Sequence, residues 1–193
     1  VPHGGVLCAL PALLAMGLLE GAEKHLTLQE GYYALDSLLI LLAFMALRRM
    51  ETVEELRGHA PGEWGKLPGL DRAPEVRTLR GKIHQLSHDG KPKEWSASLC
   101  QRWMEKAPEQ AGALYIDGHV RVYHGDQTAL PKHYVAREKL CLRATVDYWI
   151  NAMDGQPFMG VNKIVDHGLI KAIEEDILPA LESLKTAFKD PSP

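Results

Sequence analysis

The feature that most constrains this chain is a change of hydrophobic period near Ala111. Before it, apolar residues recur every three or four positions; after it, they alternate. Those periods belong to helices and strands respectively, because side chains return to the same face every 3.6 or every two residues. From Ala113 to His124, one face carries Leu114, Ile116, Val120 and Val122, with Gly118 among them. Tyr115, Asp117, His119, Arg121 and Tyr123 share the other. Lys139 to Asn151 alternates again, with Leu140, Leu142, Ala144, Val146, Tyr148 and Ile150 on one side. Asp154-Gly155 is a strong hairpin pair, so a third strand is expected over Pro157 to Val165. The expectation is an α+β chain with a helical region over residues 1–110, then three antiparallel strands and a helix over residues 111–193.

Leu10 to Glu20, Tyr32 to Arg49 and Thr52 to Gly58 are dense in good helix formers. His59 to Asp71 reads as a loop, because Pro61-Gly62, Trp64-Gly65 and Pro68-Gly69 crowd it with breakers. Pro74 suits the first turn of the next helix, whose Val76, Leu79, Ile83 and Leu86 form an inward stripe. A further helix is expected over Glu94 to Lys106. The closing helix, Asp166 to Phe188, buries Ile170, Ile173, Ile177, Leu181 and Leu184, and Pro179 should kink or split it near Asp176.

Val6 to Leu19 and Ser37 to Leu47 are apolar, yet both are short against the roughly 20 residues a membrane span requires. Pro11 interrupts the first and Arg48-Arg49 closes the second, so buried helices are expected and no membrane association. The first run lacks a preceding basic residue, which fits a signal peptide poorly. Cys8, Cys100 and Cys141 are widely spaced, which argues against a zinc ribbon or disulfide framework and suits a reducing, cytoplasmic location. The net charge of -3 argues against a surface that binds nucleic acid everywhere. Positive charge is instead concentrated between Lys66 and Arg102.

Asp117 is the sharpest candidate for chemistry. A carboxylate in an apolar strand costs free energy unless it is paired or holds a metal. An ion pair with Arg121 or Arg143 on the same face would resolve that cost equally well. His119 shares its face, where an ordinary polar residue is the default. His84 and His88 have the i, i+4 spacing of a helical metal pair, but Gln85 stands where a metalloprotease would carry its Glu, and no third ligand is evident. Trp64, Trp95, Trp103 and Trp149 are expected as core anchors rather than base-stacking platforms.

Several segments together resemble the N-terminal part of a bacterial DDE-type transposase family. They are Pro11-Ala-Leu-Leu-Ala, Glu30-Gly-Tyr-Tyr-Ala-Leu-Asp-Ser, Ala43-Phe-Met-Ala-Leu47, His59-Ala-Pro-Gly-Glu-Trp-Gly-Lys66 and Leu70-Asp-Arg-Ala-Pro-Glu-Val-Arg-Thr-Leu-Arg80. Tyr115-Ile-Asp-Gly-His119, Asp147-Tyr-Trp-Ile-Asn151 and Gly155-Gln-Pro-Phe158 continue the resemblance, which covers nearly the whole chain. Order and combination carry it, not one motif.

The resemblance implies a helical DNA-binding or dimerisation region followed by a ribonuclease-H-like catalytic core, here incomplete, that opens with three antiparallel strands and a helix. It places the first catalytic, metal-binding carboxylate at Asp117. The second Asp and the Glu follow later in the family, so neither is assigned before Pro193; Asp126, Asp147, Asp154 and Asp166 do not match their places. It further implies Mg²⁺ or Mn²⁺ in the complete enzyme, weakly held by one carboxylate alone, with transposon-end DNA and a second protomer as partners. The helix Pro74 to Leu86 resembles the second helix of a helix-turn-helix after the Glu51 to Gly58 helix. Arg77, Thr78, Arg80 and Lys82 are its candidate DNA contacts, although a solvated face of a bundle helix is the simpler account of each. The competing readings are a non-catalytic DNA-binding or dimerisation remnant and a membrane-associated helical protein.

Overall fold

A computed structural model describes residues 2–125 and 128–189. The chain divides into two compact units, Val1–Ser96 and Ala97–Pro193.

The first unit is helical. A 3-10 turn, Gly4–Ala9, leads into α1 (Leu10–Ala15), which stops where Gly17 takes a φ of 91°. After α2 (Ala22–His25) comes α3 (Leu35–Leu47), the apolar segment too short to span a membrane. From Leu38 onward its side chains are apolar on every side, and such a helix belongs in a core. Leu38, Leu39, Leu41, Phe44 and Met45 are accordingly buried. Arg49 ends the segment in a left-handed conformation, φ 57°. No helix among the described residues is long and apolar enough to cross a membrane.

The segment Thr52 to Gly58 is a 3-10 helix, Val53–Gly58, rather than an α-helix. The carboxylate of Glu55 accepts the backbone N–H groups of Glu51 and Thr52 at 2.8 and 2.9 Å and fixes its start. The stretch expected as a loop contains α4 (Pro61–Lys66). Pro61 sits at the first helical position, where its missing N–H costs nothing, and burial of Trp64 outweighs the local breakers. Gly65 is required there for closeness. A Cβ would lie 2.3 Å from Cα of Arg72, and the Ala73 N–H donates to the Pro61 carbonyl at 2.8 Å. The next helix, α5 (Val76–His88), begins two residues after Pro74, with Glu75 at its N-cap. Val76, Leu79 and Leu86 face the core, with Ile83 partly buried beside them.

The division between units falls within α6 (Pro92–Lys106). Four strands follow: β1 (Leu114–Val122), β2 (Lys132–Val135), β3 (Leu140–Ala152) and β4 (Pro157–Ile164). All pairings are antiparallel, and β3 is central, with β1 and β4 each paired to it. Asp117 stands opposite Trp149, His119 opposite Asp147, and Asp147 opposite Asn162. The Asp154-Gly155 turn forms as expected, with Gly155 at φ 91° and the Asp154 carboxylate accepting the Gln156 N–H at 3.0 Å. β2 was not anticipated. It is four residues long, too short to show a period, and its turn to β3 lacks glycine, Lys139 taking the left-handed conformation at φ 54°.

Val146 and Tyr148 on the apolar face of β3 pack with Ala172, and Ala152 and Phe158 pack with Cys100 and Met104. The expected closing helix is α7 (Leu169–Ala172), a π turn (Ile173–Ile177) and α8 (Leu178–Lys189). The break at Asp176 thus occurs, because Pro179 cannot donate in the regular ladder. The wider turn also shifts the helical phase. Ile177 is buried and Leu181 partly so, but Ile170 is 72% exposed and Ala172 takes the inward position. The side chain of Leu184 lies outside the described residues.

Candidate functional site

The polar face of the sheet is built by register. Asp117, His119 and Arg121 on β1 stand opposite Trp149, Asp147 and Thr145 on β3, which in turn oppose Gly160, Asn162 and Ile164 on β4. Two aspartates therefore sit on neighbouring strands one step apart, and the structure treats them in opposite ways.

Asp147 is buried and satisfied. Its Oδ2 accepts Nε and Nη2 of Arg121 at 3.0 and 2.7 Å, and its Oδ1 accepts Nδ2 of Asn162. The forked guanidinium suits a carboxylate held in one place. Asp117, by contrast, is exposed and has no ion-pair or hydrogen-bond partner among the described residues. The burial expected from its apolar neighbours is corrected here. Those neighbours point to the other face, with Leu114 and Ile116 partly buried, so the carboxylate stays in water. The alternative of an ion pair between Asp117 and Arg121 or Arg143 does not form among the described residues, since Arg121 reaches across to Asp147 instead. Sequence reasoning named Asp147 but missed its part in the sheet. No local signal could have found it, because the contact depends on the register between β1 and β3.

Trp149 is exposed, not a core anchor, and leans over β4. A Cβ at Gly160 would lie 3.1 Å from its Cζ3. Glycine at that position makes room for the ring and leaves the surroundings of Asp117 open. Trp64, in the first unit, is a core anchor as expected.

On α5, the four candidate DNA contacts separate into two kinds. Arg80 is ion-paired with Glu54, and Nζ of Lys82 donates to the Gln29 carbonyl at 3.2 Å. Arg77 and Thr78 are exposed and without a partner among the described residues. Arg77 borders a cavity of about 370 Å³ with Arg57, His59, Trp64 and Pro74. Arg57 and His59 come from the 3-10 turn before α4, too far away in sequence for a periodicity argument to join them to Arg77. Between the 3-10 helix that ends at Gly58 and α5 lies α4, itself separated from α5 by residues 67–75.

His84 and His88 stack with ring centroids 5.8 Å apart, and Nδ1 of His88 lies 2.8 Å from Oδ1 of Asp89. They join no cluster of three metal-ligating groups among the described residues. The three cysteines are free, and burial pushes the Cys100 thiol up from 9.0 to about 11.

Residues 1–192 match the family model described as "Transposase protein". No curated protein and no solved structure matches the chain.

Proposed function

The chain belongs to this transposase family, and from that premise we propose that it carries the DNA-binding region and the first metal-binding carboxylate of a DDE-type transposase. The observation that carries the reading is the contrast between the two aspartates. A metal ligand must be free to leave water for a cation, and Asp117 is free while Asp147 is held by Arg121 and Asn162. Asp117 also lies mid-strand on β1, whose outer edge pairs with no strand among the described residues. A further strand docking on that edge would bring a second carboxylate beside Asp117, as a ribonuclease-H-like core requires.

Carboxylate oxygen is the donor that Mg²⁺ and Mn²⁺ favour, so Asp117 fits as one ligand of such an ion. A divalent ion held there would supply Lewis-acid activation of a water or 3′-hydroxyl and stabilisation of the leaving oxygen. In this reading Asp117 supplies one oxygen ligand, and the Asp147–Arg121–Asn162 network keeps β1, β3 and β4 in register beneath it. DNA is taken by the first unit, where Arg77, Thr78 and Arg57 offer unengaged donors near the start of α5.

One observation favours a second reading. Asp117 belongs to no cluster of three metal-ligating groups among the described residues, which suits a non-catalytic DNA-binding or dimerisation module. Manganese broadening of NMR signals separates the two. Selective loss of the Trp149 indole and His119 signals with Mn²⁺, abolished in Asp117→Asn, supports the metal ligand. Transposon-end DNA binding without that broadening supports the second reading. Affinity no better for transposon-end than for random duplex, with no salt dependence, would sink both.

A further inference from the structure

We propose that the chain carries a second cation site, separate from Asp117, formed by His167, Glu175 and Asp176 and suited to a transition metal of the Zn²⁺ class. Local conformation brings these residues together. His167 ends the 3-10 turn Val165–His167 that follows β4. Gly168 then adopts φ 79° and ψ 151°, a combination essentially reserved for glycine, and turns the chain into α7. One helical turn later the π turn presents Glu175 and Asp176. Successive side chains diverge by roughly 100° on an α-helix, and by less on this wider turn. Two adjacent carboxylates can therefore address one point.

The distances fit a metal. One ligand atom from each residue lies within 4.8 Å of the other two. Nε2 of His167 is 3.4 Å from Oε2 of Glu175 and 3.9 Å from Oδ2 of Asp176. Ligands about 2.0–2.2 Å from a tetrahedral Zn²⁺ stand about 3.3–3.6 Å from one another. The first separation is within that range, the second needs a movement of a few tenths of an ångström, and the two carboxylates, within 4.8 Å of each other, would draw together on the ion.

A second observation points to a ligand. Nε2 of His167 is screened from solvent and faces the Glu175 and Asp176 carboxylates without a well-aligned hydrogen bond to either, which leaves its desolvation only partly offset. A cation bound there removes that cost and bridges the end of β4 to the π turn. Nζ of Lys163 lies 2.7 Å from Oδ2 of Asp176, and this ammonium holds the carboxylate in place but competes with a cation for it. The donor set of one imidazole nitrogen and two carboxylate oxygens selects Zn²⁺ over Mg²⁺, since imidazole suits the softer ion. It differs in this from Asp117, which offers oxygen alone. It differs also from His84 and His88, which have no third ligand among the described residues.

The test titrates the 193-residue chain with Zn²⁺ by calorimetry, with Co²⁺ absorption reporting coordination and thermal melting reporting linkage. We expect one equivalent bound, a raised Tm and a Co²⁺ spectrum without thiolate bands. His167→Gln, Asp176→Asn and the more exposed Glu175→Gln should each weaken binding at least about tenfold. Lys163→Met should tighten it, an effect that loss of a merely structural ion pair would not produce. Asp117→Asn and the double variant His84→Ala/His88→Ala should bind as the parent does. No saturable Zn²⁺ binding at tens of micromolar, or unchanged affinity in Glu175→Gln and His167→Gln, overturns the proposal. Equal affinity for Mg²⁺ overturns the assignment of metal class.

Discussion

Replacing Arg77 with alanine should lower the salt dependence of DNA binding, whereas replacing Arg80 should not. The two side chains differ in whether their charge is already engaged. Arg80 is paired with Glu54, and Lys82 donates to the Gln29 carbonyl, so each would have to leave a partner to meet a phosphate. Arg77 has no such partner among the described residues and stands in the first turn of α5, where backbone N–H groups also favour an anion. One phosphate contact contributes about 0.9 to the slope of log K against log salt on duplex DNA. Arg77→Ala should reduce the slope by about that much, roughly a 3.5-fold smaller loss of affinity between 50 and 200 mM salt. Arg80→Ala should leave it within error. Fluorescence anisotropy of a labelled transposon-end duplex, measured over that salt range, reads both. Equal slope losses for the two variants would show that the Arg80–Glu54 pair opens on DNA and that engagement in the free protein is no guide to contact. No change in either variant would remove α5 from the interface.

Other expectations follow from packing. Gly65→Ala drives a methyl group into the backbone of Arg72, 2.3 Å away, and should cost about 3 kcal/mol or more in urea unfolding. Gly81→Ala, exposed on α5 with nothing within 4 Å, should instead stabilise by about 0.5–1 kcal/mol. Arg121→Ala leaves the buried Asp147 with Asn162 alone. Because Arg121 is largely exposed, the loss should be about 1–2 kcal/mol rather than that of a fully buried pair, and Arg121→Lys should restore only part of it. Cys100 should react with an alkylating reagent at pH 8 far more slowly than the exposed Cys8 and Cys141. Its raised folded value also has a sign: the unfolded thiol ionises first, so its contribution to stability is full below pH 9 and is lost as pH rises toward about 11.

Local pattern was enough for the α+β class and for the longer elements in their order. Hydrophobic period is a local property, and it survives without knowledge of neighbours, which is why β1, β3, β4 and the inward stripe of α5 were legible. The Asp-Gly turn was legible for the same reason, since glycine at φ 91° is a requirement of the turn itself. The break before Pro179 was legible from a missing N–H. The helix α4 and the short strand β2 were not. Burial of Trp64 and pairing with β3 outweigh their local signals, and neither partner is visible from the segment alone.

Only tertiary structure decided the state of the carboxylates. Period two put Asp117 and Arg121 on one face, but it could not say that Arg121 would cross to Asp147 on the neighbouring strand. Cross-strand register does that, and register depends on residues about 30 positions apart in the chain. The same limit hid the meeting of His167 with Glu175 and Asp176. A phase shift of one residue in the π turn, which no amphipathic count anticipates, turns both carboxylates toward the histidine and turns Ile170 away from the core.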